Sequence, residues 1–303
     1  MSADVSILMP VFNEEKYIES AIQSIFEYNY RDGLSIELVV VDDFSEDSTY
    51  QKLKDLASQY TGVSVLKNNK KGKNSAFNLA FQASSGEYIC LMGGDDKLEP
   101  IVLQKRVDTL KALTSEATYP CKVASACKIR TFSNKSSLDG IILPKKRNLG
   151  SMSGGSVMFS RALATDIFPV PDSLPNEDTW IYLYLRFNRV RILHIPEVGL
   201  HYRLHSQNSH RRGIGHKKYK IMLWERSRAA LYFYARYAHR FSEYVERELV
   251  VYIAVEICIY VGSTFSIIFL GLVSVKDKIK AVFSSSPTLY KLKTKLYRYV
   301  VGR

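Results

Sequence analysis

The stretch 38–43 reads Leu-Val-Val-Val-Asp-Asp, and the stretch 88–96 reads Tyr-Ile-Cys-Leu-Met-Gly-Gly-Asp-Asp. Each is an apolar run of buried-strand length that leads to two carboxylates. In an open parallel sheet, ligands bind outside the carboxyl ends of the strands, so these strands gather negative charge at one crevice. Such carboxylates favour a hard cation, and a cation with spare coordination positions favours a phosphate. The sequence therefore predicts a cation-and-phosphate crevice at one end of a sheet.

Short β-rich runs alternate with helical patterns through the first third of the chain. The predicted strands are 5–9, 36–41, 63–66 and 87–92, and the predicted helices are 14–28, 46–60 and 74–83. Strands that alternate with helices of this length indicate βαβ units and a doubly wound, mainly parallel sheet. Ser45 and Asp47 lie where the second helix is predicted to begin, and either can cap its free N–H groups.

The composition fits one large enzyme domain with an appendage. The chain has 303 residues, of which 46% are hydrophobic and 24% are charged, enough to bury a large core. No basic region followed by an apolar core stands at the N-terminus, so we expect no secretory signal. The four cysteines lack CxxC spacing and are typical of buried thiols in a reducing cytosol.

A net charge of +12 raises the question of nucleic-acid binding. The excess charge is concentrated beside apolar segments near the C-terminus, and no nucleic-acid-binding motif is present. An anionic membrane surface explains that distribution better, so we expect no nucleic-acid partner.

Six motifs follow one another in a fixed order. They are Pro10-Val-Phe-Asn-Glu14, Val40-Val-Asp-Asp-Phe-Ser-Glu-Asp-Ser-Thr49, Gly72-Lys-Asn-Ser-Ala-Phe-Asn78, Ser85-Gly-Glu-Tyr-Ile89, Asn176-Glu-Asp-Thr-Trp180 and His201-Tyr-Arg-Leu-His-Ser-Gln-Asn-Ser209. Together they closely resemble the successive motifs of family 2 glycosyltransferases. The resemblance implies an α/β fold of the GT-A type, Rossmann-like, with a mainly parallel sheet flanked by helices. It also implies inverting transfer of a sugar from a nucleotide diphosphate sugar to a hydroxyl.

By this resemblance, the first two motifs bind the donor nucleotide. Phe12 packs on the nucleobase, Asp43 accepts a hydrogen bond from its imide N–H, and Pro10, Asn13 and Glu14 belong to the same binding region. The alternatives are that Phe12 is a core residue and that Asp43 is a turn residue. Two adjacent carboxylates at a strand end repel each other, which favours a functional reason for Asp43.

Asp95 and Asp96 resemble the acidic metal-binding motif of the family, although the first position of that motif is Gly93 here. Mn²⁺ or Mg²⁺ needs few protein ligands when diphosphate oxygens complete its shell. Such a cation stabilises the charge that develops on the departing nucleotide diphosphate. The alternative is that Asp96 caps a helix that opens near Pro100, a favoured first-turn proline.

Further basic and polar residues are assigned to the phosphates and the metal. Arg203 holds the diphosphate and His205 completes the metal shell, because in a strand they face the same way as His201. A polar surface histidine is the equal alternative for His205. Lys73 and Asn78 are assigned to the donor phosphates, and a solvated surface lysine is the alternative for Lys73.

The resemblance also assigns the acceptor side of the site. Asp178 is the general base that takes the proton of the attacking hydroxyl, with Glu177 beside it, and Gly154 and Gly155 lie near the sugar and the acceptor. A base is needed because a protonated alcohol is a poor nucleophile. The alternatives are acids that merely suit the dipole of a helix N-terminus, and a plain strand-entry turn at the glycines.

The last third of the chain predicts contact with a membrane. Residues 249–275 are apolar except for Glu256, and residues 276–303 carry eight Lys or Arg against one acid. Positive flanks prefer the cytoplasm, where nucleotide sugars are also found, so one simple crossing does not fit. The segment is therefore either a hairpin or shallow insertion bent near Gly262-Ser263, or a buried helix of the fold.

A basic amphipathic helix is predicted at the end of the chain. Its apolar face consists of Leu289, Leu292, Leu296 and Val300. Such a helix lies on an anionic leaflet. A second basic set faces either the same membrane, the phosphates of a lipid-linked acceptor, or solvent; it consists of Arg211, Arg212, Lys217, Lys218 and Lys220.

The sequence thus predicts a catalytic domain and a membrane-associating extension. The predicted bounds are 1–212 for the catalytic domain, with a nucleotide half over about 1–112 and an acceptor half over about 113–212, and 213–303 for the helical extension. We expect an enzyme on the cytoplasmic face of the inner membrane, peripheral or shallowly inserted, that builds bacterial cell-surface polysaccharide. Its expected donor is a UDP-sugar, and its acceptor is a glycan or a polyprenyl-diphosphate-linked molecule. The alternative is a catalytically silent nucleotide-sugar or lipid-binding module, for which Gly93 is the clue.

Overall fold

The structure, a computed structural model, describes residues 3–115, 121–133, 138–205, 215–271 and 273–300. Several predicted features lie outside these residues: the boundary at 212, the motif end 206–209 and the basic pair Arg211-Arg212. The side chains of Leu296 and Val300 also lie outside the described part.

One mixed sheet contains all the strands of the described residues. The strands are β1 (Val5–Val11), β2 (Ile36–Asp42), β3 (Val63–Lys67), β4 (Tyr88–Leu91), β5 (Lys97–Leu98), β6 (Val123–Phe132), β7 (Ile142–Leu143), β8 (Val157–Ser160) and β9 (Arg191–Arg203). Their order is β3-β2-β1-β4-β8-β6-β9-β5, and β7 pairs with β6. The first four are parallel, whereas β8 is antiparallel to both β4 and β6. The four predicted strands are the parallel half of this sheet.

Five helices belong to the same unit. They are α1 (Ile18–Phe26), α2 (Thr49–Gln59), α3 (Lys73–Ala83), α4 (Pro100–Thr114) and α5 (Arg161–Ile167). The helix α1 begins later than the predicted Glu14, because the carbonyl of Glu14 accepts the N–H groups of Tyr17 and Ile18 in a turn that precedes the helix. The helix α2 begins at Thr49, whose N–H donates to the Asp47 carboxylate at 2.9 Å. The N-cap itself is Ser48, which makes no side-chain capping bond, so neither Ser45 nor Asp47 occupies the predicted cap position, although Asp47 accepts the first N–H group of the helix.

The core of this unit forms because apolar positions coincide on facing surfaces. Every residue of β1 is buried, and α1 packs Ile18, Ile22 and Ile25 into the same cluster with Tyr88 of β4. Burial of each isoleucine contributes roughly 1.5–3 kcal/mol. The core thus fixes the directions of β1, β2 and β4, whose carboxyl ends carry the predicted site residues.

The chain divides into two compact units. The first comprises Met1–Ser173 and Asn188–His205, and the second comprises Leu174–Phe187 and Ser206–Arg303. The helices of the second unit are α6 (Asp178–Phe187), α7 (His216–Ser227), α8 (Ala229–Tyr237), α9 (Glu243–Val261), α10 (Thr264–Phe269), α11 (Val275–Ser285) and α12 (Pro287–Val300). The segment 174–187, which the sequence assigned to the catalytic domain, groups here with the C-terminal helices.

The apolar segment 249–275 is not one continuous helix. Helix α9 ends at Val261 and is followed by Gly262, which caps it with a left-handed φ of 88°, and α10 begins at Thr264. The break lies at Gly262-Ser263, where the first of the two alternatives placed a bend; insertion of the segment into a membrane stays a prediction. Over the described residues, no helix combines the length and the apolar character needed to cross a bilayer.

Aromatic stacking and a small apolar cluster hold the second unit together. Trp180 of α6 lies 5.7 Å from Phe233 of α8, measured between ring centroids. Tyr290 of α12 is buried and stacks on Tyr219 of α7 at 4.5 Å. Leu292, predicted to lie on the membrane-facing apolar side of α12, is exposed, and its contact with a membrane stays a prediction. The inward face of α12 is therefore centred on Tyr290, because that ring meets α7.

Candidate functional site

The loops that follow β1 and β2 are tied together by hydrogen bonds. Asn13 has a left-handed φ of 55°, its N–H donates to Ser45 Oγ at 3.0 Å, and its Oδ1 accepts from the N–H of Glu46 at 2.8 Å. The N–H of Glu14 donates to Thr49 Oγ1 at 2.7 Å. Asn13 and Glu14 therefore hold the rim of the crevice in place, whether or not they also contact a ligand. Pro10 is buried within β1 and acts through the shape of the strand end.

The two aspartates at the end of β2 have different partners. Asp43 accepts a hydrogen bond from Asn68 Nδ2 at 2.7 Å, and the N–H of Gly72 donates to both of its oxygens at 2.8 and 3.0 Å. Asp42 accepts from the N–H of Ser45 through Oδ2, whereas its buried Oδ1 makes no hydrogen bond to the described residues. Asp43 thus has a structural reason to be present, and Asp42 retains an open acceptor that the sequence reasoning missed.

Two phenylalanines are exposed at this end of the sheet. Phe12 is 43% exposed, and the Lys71 ammonium lies 5.0 Å from its ring centroid, which excludes the alternative that Phe12 is a core residue. Phe44 is 47% exposed and has a φ of 64°, an uncommon value for a bulky side chain. Sequence reasoning missed Phe44, because backbone strain is not visible in a hydrophobicity pattern.

The second acid pair meets Arg203 and His205. Asp95 Oδ2 lies 2.8 Å from His205 Nε2, and the Asp95 carbonyl accepts from Arg203 Nε at 2.7 Å. Asp96 Oδ1 accepts from the backbone N–H of Arg203 at 3.0 Å. The N-cap of α4 is Glu99, so Asp96 does not cap that helix. The structure therefore brings together four of the predicted residues, separated by more than a hundred positions along the chain.

Arg203 is held in a defined orientation. Its guanidinium lies between the rings of Tyr17 and Phe132, at 4.5 and 4.4 Å from their centroids, and one of its N–H groups donates to Ser20 Oγ at 3.4 Å. Cation–π contacts of this kind suit arginine and leave its charge beside the acid pair. His201, by contrast, contacts Glu99 at 3.4 Å and does not join the acid pair.

Burial and mutual repulsion perturb the acids of this cluster. Burial, followed by the charge of Asp95, raises the pKa of Asp96 well above its ordinary value, and the positive charge of Lys73 opposes that rise. Burial, followed by the charges of Asp95 and Asp47, raises the pKa of Glu14 to about 8. Three acids crowd here with insufficient positive charge, an arrangement that either a proton or a cation relieves.

The fit of a divalent cation rests on Asp95, Asp96 and His205. Within the described ranges, no group of three His, Cys, Asp or Glu side chains is arranged as a complete metal site. Asp95 Oδ2 and His205 Nε2 lie 2.8 Å apart and are hydrogen-bonded to each other, so a cation bound by both would replace the proton between them, and the excess negative charge of the acids favours that exchange. A Cβ at Gly93 would lie 2.8 Å from Asp95 Oδ1, so glycine leaves room for this carboxylate. The residues thus fit a cation whose remaining ligands come from a diphosphate.

Lys73 and Asn78 lie on α3 but have different surroundings. Lys73 opens the helix, and its ammonium lies 5.4 Å from the ring centroid of Phe77. Asn78 donates to the carbonyl of Val170 at 2.8 Å and to Asp172 at 3.1 Å, and its Oδ1 accepts from the N–H of Val170 at 2.8 Å. Asn78 therefore anchors the loop at 170–172, a structural role that the sequence did not suggest. Its assignment to the donor phosphates stays a prediction.

The glycine turn before β8 is supported by a buried arginine. Gly154–Ser156 is a short 3-10 turn, and a Cβ at Gly155 would lie 2.9 Å from Leu200 Cδ2. Arg106 of α4 is 1% exposed and donates to the carbonyl of Ser156 at 3.1 Å and to Ser125 Oγ at 3.3 Å. Arg106 was not predicted from the sequence, because it lies in α4 among apolar residues and belongs to no motif.

The predicted base lies in the second unit, in the first turn of α6. Asp178 is partly exposed, whereas Glu177 and Asn176 before it are buried. The carbonyl of Glu177 accepts from the N–H of Ile181 at 2.9 Å, and Trp180 packs inside the unit. The helix thus presents a carboxylate from a rigid, well-packed N-terminus.

The fold and the site define the class of protein: an α/β protein with an acidic, arginine-containing crevice at the carboxyl ends of its parallel strands. The profile described as glycosyl transferase family 2 matches residues 6–168. This match covers more than half of the chain, so the chain belongs to that family. The family resemblance expected from the six motifs is thereby confirmed.

Curated relatives agree with this assignment. Dolichol-phosphate mannosyltransferase of Pyrococcus furiosus is 34% identical over 107 residues, 35% of this chain and 30% of the relative. The GalNAc(5)-diNAcBac-PP-undecaprenol beta-1,3-glucosyltransferase of Campylobacter jejuni is 26% identical over 225 residues, 72% of this chain and 71% of the relative. The chain spans between 30% and 57% of the length of several curated relatives that it matches.

Solved structures show the same architecture. TarS 1–349 of S. aureus, in complex with UDP, has a TM-score of 0.59 at 15% identity, over 96% of this chain and 83% of the other. The mannosyltransferase PcManGT of Pyrobaculum calidifontis, in complex with GDP-Man and Mn²⁺, has a TM-score of 0.54 at 16% identity, over 99% and 86%. At these identities the likeness concerns the fold, which is the expected GT-A type, with C-terminal helices after it.

Proposed function

We propose that this chain is an inverting glycosyltransferase that moves a sugar from a nucleotide diphosphate sugar to a hydroxyl. The observation that carries the proposal is the cluster of Asp95, Asp96, Arg203 and His205 beyond the end of β4. It combines a cation-binding acid pair with an arginine, the two groups that a diphosphate needs. No observation in the structure favours a catalytically silent module.

Each residue has a defined task in this reaction. The ring of Phe12 packs on the nucleobase, and the Asp43 carboxylate accepts a hydrogen bond from its imide N–H. Arg203 and Lys73 hold the diphosphate, with Asn78 nearby on α3. Asp95, Asp96 and His205 would hold Mn²⁺ or Mg²⁺, which when bound stabilises negative charge on the leaving group.

Transfer needs one proton acceptor. The acceptor oxygen attacks the anomeric carbon and its proton passes to the Asp178 carboxylate, while the bond from that carbon to the diphosphate oxygen breaks with its electron pair. Attack opposite the leaving group inverts the configuration. Gly154 and Gly155 let the sugar and acceptor approach the backbone closely, and Glu177 supports the base at the start of α6.

The expected donor is a UDP-sugar, since one structural neighbour was solved with UDP and another form of it with UDP-GlcNAc. A neighbour bound to GDP-Man makes the guanosine donor the first competitor. The acceptor is a glycan or a polyprenyl-diphosphate-linked molecule at the cytoplasmic face of the bacterial inner membrane. The name of the Campylobacter relative specifies an undecaprenol diphosphate acceptor, which supports this choice.

Nucleotide binding is the decisive test. Purified protein is titrated with UDP, GDP and their sugar conjugates, with and without Mn²⁺, and followed by thermal shift and calorimetry. Metal-dependent stabilisation by one nucleotide class is expected. His205→Gln should lose the metal dependence, whereas His201→Gln on the same strand, which contacts Glu99, serves as the matched control. Absence of binding by folded protein would overturn the proposal, and binding without metal would overturn the metal assignment alone.

A further inference from the structure

An exposed apolar surface lies where α9, α10 and α11 meet in the second unit. We call it the α10 patch; it consists of Val261, Phe265, Ile268, Phe269, Val275 and Ile279, each between 52% and 74% exposed. The rings of Phe265 and Phe269 lie 4.7 Å apart, so the two form one surface. Large apolar side chains gathered in this way mark a surface that another phase or partner covers.

Helix α10 is apolar on both of its sides. Its inner side chain, Ile267, is fully buried against Ile259 of α9 and Ala281 of α11. Its exposed positions are Phe265, Ser266, Ile268 and Phe269, of which Ser266 alone is polar. A surface helix in water normally turns polar residues outward. Ile267 is thus the side chain by which α10 joins the apolar cluster, and packing within the unit does not explain the outer side.

The patch is also held in place. Thr264 Oγ1 and Ser285 Oγ form a hydrogen bond of 2.8 Å between α10 and α11, and Ser263 Oγ bonds Ser266 Oγ at 2.7 Å. The Lys278 ammonium donates to the carbonyl of Ile268 at 2.8 Å. These bonds fix α10 with its aromatic side outward, so the exposed rings are part of the folded surface.

Positive charge surrounds the patch. Besides Lys278, the Lys220 ammonium donates to the carbonyl of Tyr260, at 2.6 Å, and Lys276 and Lys280 of α11 are exposed. The acid of α11, Asp277, accepts a hydrogen bond from Ser274 Oγ at the start of that helix. An apolar surface rimmed by ammonium groups is complementary to the interface of an anionic bilayer, where acyl chains lie beneath phosphates.

We propose that the α10 patch docks the protein on anionic lipid bilayers, with Phe265, Ile268 and Phe269 among the upper acyl chains and the lysines at the headgroup phosphates. This inference rests on the proposed function, which places the acceptor in a membrane. A second copy of the chain is the less suitable occupant, because a patch-to-patch contact would bring the same lysines together. Helix α10 has six residues, so the contact is interfacial and does not span the bilayer.

The first experiment is flotation of the purified full chain with vesicles. Phosphatidylcholine vesicles that contain 30% phosphatidylglycerol are compared with pure phosphatidylcholine vesicles. The double variant Phe265→Ser/Phe269→Ser should bind the anionic vesicles roughly 100-fold more weakly, since two large apolar side chains are lost from the contact. Lys276→Gln/Lys280→Gln should lower binding roughly 10-fold and remove most of its salt dependence.

A matched control tests whether any exposed apolar pair would do. Leu231 and Tyr232 of α8 are also exposed but lie outside the patch, so Leu231→Ser/Tyr232→Ser should bind like the wild type. Phe265→Trp supplies a direct readout, because its emission should shift to shorter wavelength and be quenched by lipids brominated in the upper acyl chain. Unchanged flotation of the Phe265/Phe269 variant, or a tryptophan that is not quenched, would overturn the proposal.

Two further measurements separate the possible failures. A wild-type dimer that the Phe265/Phe269 variant converts to a monomer, with no vesicle binding by either, would identify a self-association surface and overturn the membrane inference. UDP- or GDP-induced thermal stabilisation is recorded for the same proteins and is expected to be unchanged. Vesicle binding without nucleotide binding would refute the proposed reaction and support the docking surface. Nucleotide binding without vesicle binding would refute the docking surface and support the proposed reaction.

Discussion

Single residues of the crevice carry both structure and chemistry, and Asp43 illustrates this. Its carboxylate accepts hydrogen bonds from Asn68 and Gly72, so its presence beside Asp42 has a packing reason. The pattern of residues indicated only that two adjacent acids need an explanation. The partners come from a loop more than twenty positions away, and only a folded chain identifies them.

Asp178 offers the sharpest test of the reaction. Asp178→Asn keeps the shape of the side chain but removes its ability to take a proton, so transfer should fall by about 100-fold to 10,000-fold. Nucleotide affinity should stay within twofold, roughly. Turnover is followed by release of nucleotide diphosphate in the presence of acceptor.

The control for this change is Glu243→Gln. Glu243 is likewise an acid in the first turn of a helix, α9, so its loss removes the same dipole interaction without removing a base. Equal, small losses of activity in both variants would contradict the role of Asp178 as a base and would show that it only interacts favourably with the helix dipole.

Glu14 predicts a dependence of stability on pH. Burial and the charges of Asp95 and Asp47 raise its pKa from 4.5 to about 8. Between these values the folded protein retains a proton that the unfolded chain has released, so the free energy of unfolding decreases as pH rises through this window. Thermal unfolding of metal-free protein from pH 4 to 9 should show the decrease. Glu14→Gln should make the decrease smaller and leave the part due to Asp96, whose pKa is also raised, whereas Glu19→Gln, at an exposed position of α1, should change nothing; parallel curves for all three proteins would contradict the assignment.

Phe44 combines backbone strain with exposure. A left-handed φ costs a non-glycine residue about 1–2 kcal/mol of strain in the folded state. Glycine removes this strain, but fixing its more flexible backbone on folding costs about 0.5–1 kcal/mol. Phe44→Gly should therefore raise the free energy of unfolding by roughly 0.5–1 kcal/mol. If the ring contacts the nucleobase, nucleotide affinity should fall about tenfold at the same time. Denaturant unfolding and calorimetry measure the two effects.

Asp32→Gly is the comparison for this variant, since Asp32 also has a positive φ but precedes β2 at its opposite end. It should leave nucleotide affinity unchanged. A Phe44→Gly protein that gains stability and binds normally would show that the ring has no part in the site.

Among the elements, the strands of the parallel half and the order of α1, α2 and α3 agree with the sequence prediction. Hydrophobic periodicity is a local signal, which is why it located these elements. The helices α1 and α2 begin later than predicted, because a turn at Glu14 precedes α1 and the hydrogen bond from Thr49 to Asp47 lies at the first residue of α2. The antiparallel partners of β4 and β6 were not predicted, since pairing in a mixed sheet depends on contacts distant in sequence.

Asn78 tests whether α3 anchors a loop or binds the donor. Asn78→Ala removes three hydrogen bonds to Val170 and Asp172 and should destabilise the protein by about 1–3 kcal/mol. Gln82→Ala, at an exposed position of the same helix, should cost less than about 0.5 kcal/mol. Denaturant unfolding is the measurement. Weaker nucleotide binding without loss of stability would support a donor contact instead.

Across the full chain, two compact units predict separable unfolding. Tyr290→Ala removes a buried ring stacked on Tyr219 and should destabilise the second unit by about 2–4 kcal/mol. Calorimetry should then resolve two transitions, of which UDP or GDP shifts only the one from the unit that contains Asp95. Lys291→Ala, at an exposed position of the same helix, is the control. A single transition that moves as a whole would mean that the units unfold cooperatively.

The sequence alone predicted three features: the order of the motifs, the alternation of strands and helices, and the acid pairs at the strand ends. Each of them depends on residues that are neighbours in the chain. They suffice for the family and for most of the fold. The grouping of His205 with Asp95 and Asp96 was predicted, but the ring contacts of Arg203, the burial of Arg106 and the raised pKa of Glu14 were not. Each of these properties arises from groups that are far apart in sequence and that the fold brings together. Burial and Coulomb interactions depend on the distances between such groups, and the order of residues alone does not give those distances.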